Sequence, residues 1–175
     1  MQAIYFIVDT LIGLFQVVLL LRLLMQLTRA DFRNPIGRGI VQVTDPLVRP
    51  LRRVLPPVGK TDTATVIAVV IVSAAKIYIL QLLLGIALPP PLFMVRAVLI
   101  DLARLVLKTY LFSIILNAIL SFVAPGNYSP AQSILASLCN PVLNPIRRVI
   151  PAIGGLDLSP LWACIAIQAL LLVIG

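Results

Sequence analysis

Residues 45–59 read DPLVRPLRRVLPPVG, and residues 140–154 read NPVLNPIRRVIPAIG. Residue 140 follows residue 45 by 95 positions, and at that offset P-x-x-x-P-x-R-R-V-x-P-x-x-G occurs twice in one register. Asp62 meets Asp157, and Pro35 meets Pro130, on the same shift. The chain is therefore read as a duplication, with a first repeat over residues 1–95 and a second over 96–175. Locally, Asn144 is placed to N-cap a short helix with Pro145 in its first turn, where proline lacks only an N–H that would be unpaired anyway. Ile146, Val149 and Ile150 then share one face and Arg147 and Arg148 another; Leu51, Val54 and Leu55 stand opposite Arg52 and Arg53 in the first copy. The expectation is a short amphipathic helix in the headgroup region, ended by Pro56 or Pro151. Asp62, and Asp157 with Ser159-Pro160, would cap the helix that follows.

The repeated motif separates long apolar runs. The chain of 175 residues is 61% hydrophobic with mean hydropathy +1.09, and only 11% of it is charged, against roughly 25% in a soluble domain. This composition excludes a soluble globule and a disordered chain and marks an integral membrane protein. Four runs are expected to span: Ile4–Leu27, Thr65–Leu88, Leu99–Val123 and the short Ser159–Ile174. The apolar run after Met1 is too long, and lacks the basic start, of a cleavable signal. Pro89-Pro90-Pro91 should break the second helix.

Four spans place segments 28–64 and 124–158 on one side. They carry Arg29, Arg33, Arg38, Arg49, Arg52, Arg53, Lys60, Arg147 and Arg148, nine cations against at most three, Arg96, Arg104 and Lys108, in the other connection. The positive-inside rule puts both segments in the cytoplasm and both termini outside. The fold expected is an all-α membrane protein: four transmembrane helices as two parallel two-helix repeats, each with a cytoplasmic Pro/Arg amphipathic loop.

There is no His and no Glu, and the two cysteines, Cys139 and Cys164, form no CxxC. Ser-His-Asp and Cys-His chemistry, HExxH sites and His-ligated haem are excluded, and no catalytic residue, metal or cofactor is expected. The net charge of +8 accompanies no P-loop, GxGxxG or nucleic-acid motif, so the partner expected is anionic phospholipid and not nucleic acid. Arginine's planar fork suits phosphate. Arg49, Arg52, Arg53, Arg147 and Arg148 are the candidate lipid- or partner-binding residues, with topological anchoring as the plainer reading.

Polar residues inside the spans form a second candidate set. They are Asp9, Lys76, Asp101, Arg104, Lys108 and Asn117. Asp101, Arg104 and Lys108 share a helix face, and under the shift Asp9 coincides with Arg104, so an Asp9–Arg104 pair is one expectation. Lys76, flanked by Ser73-Ala74-Ala75, should point into the bundle, with Asp9 and then Asp101 as partners. Snorkelling of Arg104 and Lys108 is an alternative. Ser113, Asn117 and Ser121 read as a packing stripe.

On Asp45, Pro46, Pro50, Arg52, Arg53, Pro56, Gly59 and Asp62, and on Asn140, Pro141, Pro145, Arg147, Arg148, Pro151, Gly154 and Asp157, the sequence resembles the YggT family of bacterial membrane proteins. Leu156–Pro160 also resembles the family, whereas the first copy departs there as Thr61-Asp-Thr-Ala-Thr. The resemblance covers nearly the whole chain. It implies a bacterial inner-membrane protein, associated in relatives with osmotic or envelope stress, cell-division gene neighbourhoods and organelle membrane-complex assembly, without an agreed catalytic residue. Two functional readings follow. One is a non-enzymatic scaffold, assembly or stress-response factor that binds lipid or other membrane proteins through the Pro/Arg loops. The other is a small channel or permeation subunit, which with four helices per chain needs a homo-oligomer.

Overall fold

A computed structural model of the chain describes residues 2–56, 62–87, 89–123, 129–150 and 157–175. Among the described residues there are six α-helices and no strand: α1 (Gln2–Leu27), α2 (Pro35–Val54), α3 (Thr63–Leu84), α4 (Pro91–Val123), α5 (Pro130–Val149) and α6 (Ser159–Ile174). Gly59, Lys60, Gly154 and Pro151, the last expected to end the second amphipathic helix, lie outside the described residues.

Three helices, α1, α3 and α4, are long and apolar enough to cross a membrane; α6 is apolar but has only 16 residues. Two expected boundaries move. The second run stops at Leu84, not Leu88, because Gly85 takes the left-handed conformation (φ 67°). The N–H groups of Gly85 and Ile86 turn back to the carbonyls of Leu82 and Gln81, both at 3.1 Å, which closes the helix before the prolines are reached. The third begins at Pro91, not Leu99, with Arg96 inside it. Pro91 starts the helix because proline is tolerated in a first turn, and the Phe93 and Met94 N–H groups bond the Pro90 carbonyl.

The larger correction concerns the repeated motif. The short helices expected after Asn144 and its first-copy counterpart are the last turns of two 20-residue helices, α2 and α5. Their caps lie upstream. The Asn34 side chain accepts from the Gly37 N–H at 2.6 Å, and the Ser129 hydroxyl accepts from the Gln132 N–H at 3.1 Å. Pro35 and Pro130 follow the caps, so the two helices start and stop in one register. Asn144 and Pro145 are interior to α5, as Pro46 and Pro50 are to α2. An interior proline costs about 3 kcal/mol through a lost hydrogen bond and a clash with the carbonyl four residues back. All four interior prolines are exposed, and the inward face holds the helix by packing. Leu51 and Ile146 join that face, whereas Val54 and Val149 are exposed in both copies.

The chain divides into two compact units. The first comprises residues 1–23 and 40–105; the second comprises residues 24–39 and 106–175. The core of the first is Leu19, Val48, Ala64, Ala68 and Val69, with Phe15, Leu47, Leu51 and Val72 packed against it. The core of the second is Ile114, Cys139, Leu143, Ala163 and Ile167, with Tyr110, Val142 and Ile146 packed against it. Leu19, Val48 and Ala68 precede Ile114, Leu143 and Ala163 by the same 95 positions that separate the motifs. Phe15/Tyr110, Leu47/Val142 and Leu51/Ile146 obey the same spacing, so the interior positions recur as well as the loop.

Candidate functional site

Within the first unit, α1, α3 and α4 bring five polar side chains together. Gln16 and Ser73 are fully buried. The Gln16 amide donates to the Ser73 hydroxyl at 2.7 Å and to Asp101 Oδ2 at 2.9 Å, and the Ser73 hydroxyl donates to the same carboxylate oxygen at 2.9 Å. Lys76 Nζ lies 3.3 Å from Asp101 Oδ1 and 3.3 Å from Asp9 Oδ1. One ammonium thus sits between two carboxylates, and the inner carboxylate accepts two further neutral hydrogen bonds. Such satisfaction is what permits charge in an apolar surrounding. Asp9, Lys76 and Asp101 stand out in the sequence as charges within apolar runs, whereas Gln16 and Ser73 do not.

A second buried charge lies near the end of α1. Arg22, 3% exposed, donates from one nitrogen to Thr44 Oγ1 at 2.7 Å and to Asp45 Oδ1 at 2.9 Å. It ties α1 to α2 at the first residue of the repeated motif. Under the 95-residue shift, Arg22 and Asp45 become Asn117 and Asn140. Both charges vanish together, and that paired change was the signal available in the sequence.

The arginine pairs divide their labour. Arg52 Nε donates to Asp62 Oδ2 at 3.0 Å, its terminal nitrogen also contacts that oxygen, and Thr65 Oγ1 donates to the same atom at 2.7 Å. Arg147 Nε donates to Asp157 Oδ2 at 2.8 Å. Arg147 also reaches Asn140 and Asn144, each at 3.3 Å. Each ion pair clasps the last turn of an amphipathic helix to the start of the next apolar one. Burial alone would raise the Asp62 carboxyl, but hydrogen bonds from Arg52 and Thr65 outweigh it and hold the group below its ordinary range. Burial likewise opposes, and bonds from Ser159 and Arg147 outweigh, at Asp157. Asp62 holds the N-cap position of α3 as expected, although its side chain bonds Arg52 and Thr65 Oγ1. Asp157 precedes the cap of α6 and accepts the Ser159 N–H at 2.9 Å.

Arg53 and Arg148, the second of each pair, are exposed and make no ion pair among the described residues. Arg49 is exposed on α2 beside Arg53. Lys108 is exposed, and Arg104 and Asn117 are half-buried. Cys139 is buried, and burial pushes its thiol up to about 11, against an opposing pull from Arg147.

The family model described as CCB3/YggT matches two segments of the chain, residues 1–83 and 96–175. An uncharacterized protein of Pseudomonas aeruginosa is 36% identical over 166 residues, covering 93% of this chain and 83% of the relative. The uncharacterized protein YggT of Escherichia coli K12 is 37% identical over 161 residues, covering 92% of this chain and 83% of the relative. A protein encoded in the proC 3′ region of Vibrio alginolyticus is 36% identical over 171 residues, covering 96% and 91%. No solved structure matches the chain. With nearly all of its length matched, the chain belongs to the CCB3/YggT family.

Proposed function

We propose that the protein is a non-catalytic scaffold of the bacterial inner membrane, serving assembly or the response to osmotic and envelope stress. In this reading four spans form two repeats of two, and segments 28–64 and 124–158 face the cytoplasm, where nine of their residues are cationic. Anionic phospholipids and partner membrane proteins dock on α2 and α5. The observation that carries the reading is the division of the arginine pairs. Arg52 and Arg147 fix the helices through Asp62 and Asp157, and Arg53 and Arg148 are left exposed beside them at one register. An exposed guanidinium on a surface helix is suited to phosphate and carboxylate.

The test is lipid and partner recovery from detergent extracts with Arg53→Ala/Arg148→Ala. This variant spares the clasps, so loss of recovery cannot be blamed on unfolding. A fall of about threefold in retained anionic lipid is expected; equal recovery of lipid and partners from folded protein sinks the reading.

The Asp9–Lys76–Asp101 cluster favours a second reading, an oligomeric permeation subunit responding to osmotic change. Ion flux in proteoliposomes under an osmotic step, wild type beside Lys76→Ala, decides between them. Flux that changes with Lys76 promotes the channel; no flux from folded protein leaves the scaffold.

A further inference from the structure

The first unit has two open concavities that meet at one residue. One runs along the exposed face of α2 and is lined by Gln42, Asp45, Pro46, Arg49, Pro50 and Arg53, with a volume of about 380 Å³. The other is an apolar groove of about 670 Å³ between α1, α2 and α3, walled by Leu11, Phe15, Leu47, Ile71, Ala75 and Ile79. Pro46 lines both. We propose that together they form a site for one anionic phospholipid, its phosphate on Arg49 and Arg53 and one acyl chain in the groove below Pro46.

Charge selects the headgroup. The Asp45 carboxylate is already engaged by buried Arg22 at 2.9 Å. The guanidinium groups of Arg49 and Arg53 therefore dominate the polar end, one helical turn apart on one face, and can take a phosphate with charge-assisted hydrogen bonds. Dimensions select the tail. From Ile71 to Ile79 the groove follows eight residues of α3, about 12 Å at 1.5 Å per residue. The hydrocarbon available to one leaflet is about 15 Å, half of a core of roughly 30 Å. Because α2 buries its apolar face in the core and exposes its polar one, it marks the headgroup level, and the groove leads from it toward the bilayer interior, Ile71 and Ile79 standing about 12 and 24 Å along α3 from Thr63. Leu11, Ile71 and Ile79 are 62%, 45% and 38% exposed, so the walls are open to a chain. At the equivalent of Arg49 the second copy has Asn144, so the phosphate site belongs to the first copy.

This inference rests on the anionic-lipid reading above and adds to it a count, a place and a tail. The experiment is lipid titration of the purified full chain by native mass spectrometry, with phosphatidylglycerol and phosphatidylcholine as probes. Wild type should retain one phosphatidylglycerol at about tenfold lower concentration than phosphatidylcholine. Arg49→Ala/Arg53→Ala should abolish that preference. Ala75→Phe, which fills the groove, should weaken retention of both lipids about threefold with the preference kept; Ile79→Trp serves if Ala75→Phe does not fold. Loss on removing the arginines with no effect of either groove variant overturns the tail site and leaves arginine-bound headgroups standing. No effect of any variant overturns both. Equal displacement by soluble glycerol phosphate, or a dimer lost on filling the groove, overturns a lipid occupant in favour of a phosphate group or a second copy.

Discussion

Arg52, in the last turn of α2, holds Asp62, ten positions on at the start of α3, and Arg147 holds Asp157 at the same interval in the second copy. The two clasps differ in exposure: the Asp62 side chain is 5% exposed and that of Asp157 is 40%. Asp62→Asn should therefore cost about 2 kcal/mol, since a buried charge-assisted bond is lost. Asp157→Asn should cost about 0.5 kcal/mol after screening by solvent. Unfolding in mixed micelles measures both.

The same carboxyls set an acid limit. Both are held below their ordinary range in the folded chain, so their contribution is complete above the unfolded aspartate value of about 3.9 and is lost as pH falls through the folded values. Stability should be level from neutral pH to about 5 and fall below about 4. In Asp62→Asn/Asp157→Asn that acid limb should shrink; an unaltered limb would assign the loss to other groups.

Lys76→Met leaves the Asp9 and Asp101 carboxylates facing each other's charge without the ammonium between them. It should destabilise by about 3 kcal/mol. Adding Asp101→Asn should restore at least half of that, because the amide oxygen still accepts from Gln16 and Ser73. A double-mutant cycle in detergent measures the coupling; additive losses would mean that the 3.3 Å contact carries none.

Three glycines make a matched set. A Cβ at Gly37 would lie 2.9 Å from the Phe32 Cα, whereas at Gly13 and Gly39 it would meet nothing within 4 Å. Gly37→Ala should cost about 1–3 kcal/mol because backbone must move. Gly39→Ala and Gly13→Ala, both inside helices, should gain about 0.5 kcal/mol each. Thermal midpoints of the three variants test the contrast.

Cys139 should resist maleimide in the folded protein at pH 8, since the thiol is buried and its ionisation is pushed to about 11. Labelling should appear only with unfolding. Rapid labelling of native protein would place it at the surface.

The apolar runs of α1, α3 and α6 were legible in the sequence, and so was the recurrence at 95 residues. What misled was proline. Pro46, Pro50, Pro141 and Pro145 look like boundaries, yet each lies on an exposed face, where the carbonyl it releases meets solvent or headgroups while Val48 and Leu143 anchor the other side. The true starts were written as Asn34-Pro35 and Ser129-Pro130, a cap followed by proline. In the charged cluster, the charged members were found because charge in a span stands out. Gln16 was not, because a glutamine in an apolar run gains its meaning only from helices far along the chain. Arg22 near a helix end resembles an ordinary interfacial anchor, and only the joint change to Asn117 and Asn140 distinguishes it.

The cluster of Asp9, Lys76 and Asp101 also bears on how the chain is made. Its members emerge from the ribosome in the order negative, positive, negative, on α1, α3 and α4. In the proposed membrane reading, a charge within a span costs up to about 2.5–3.5 kcal/mol at the bilayer centre, and the charge of Asp9 on α1 is met when α3 brings Lys76. Asp101 arrives last, on α4, and is met by Gln16, Ser73 and Lys76 already in place. Insertion of these helices is in consequence a sequence of dependent steps, and a change at Asp9 should register first as slower or misoriented entry of α3, before any effect on the finished protein.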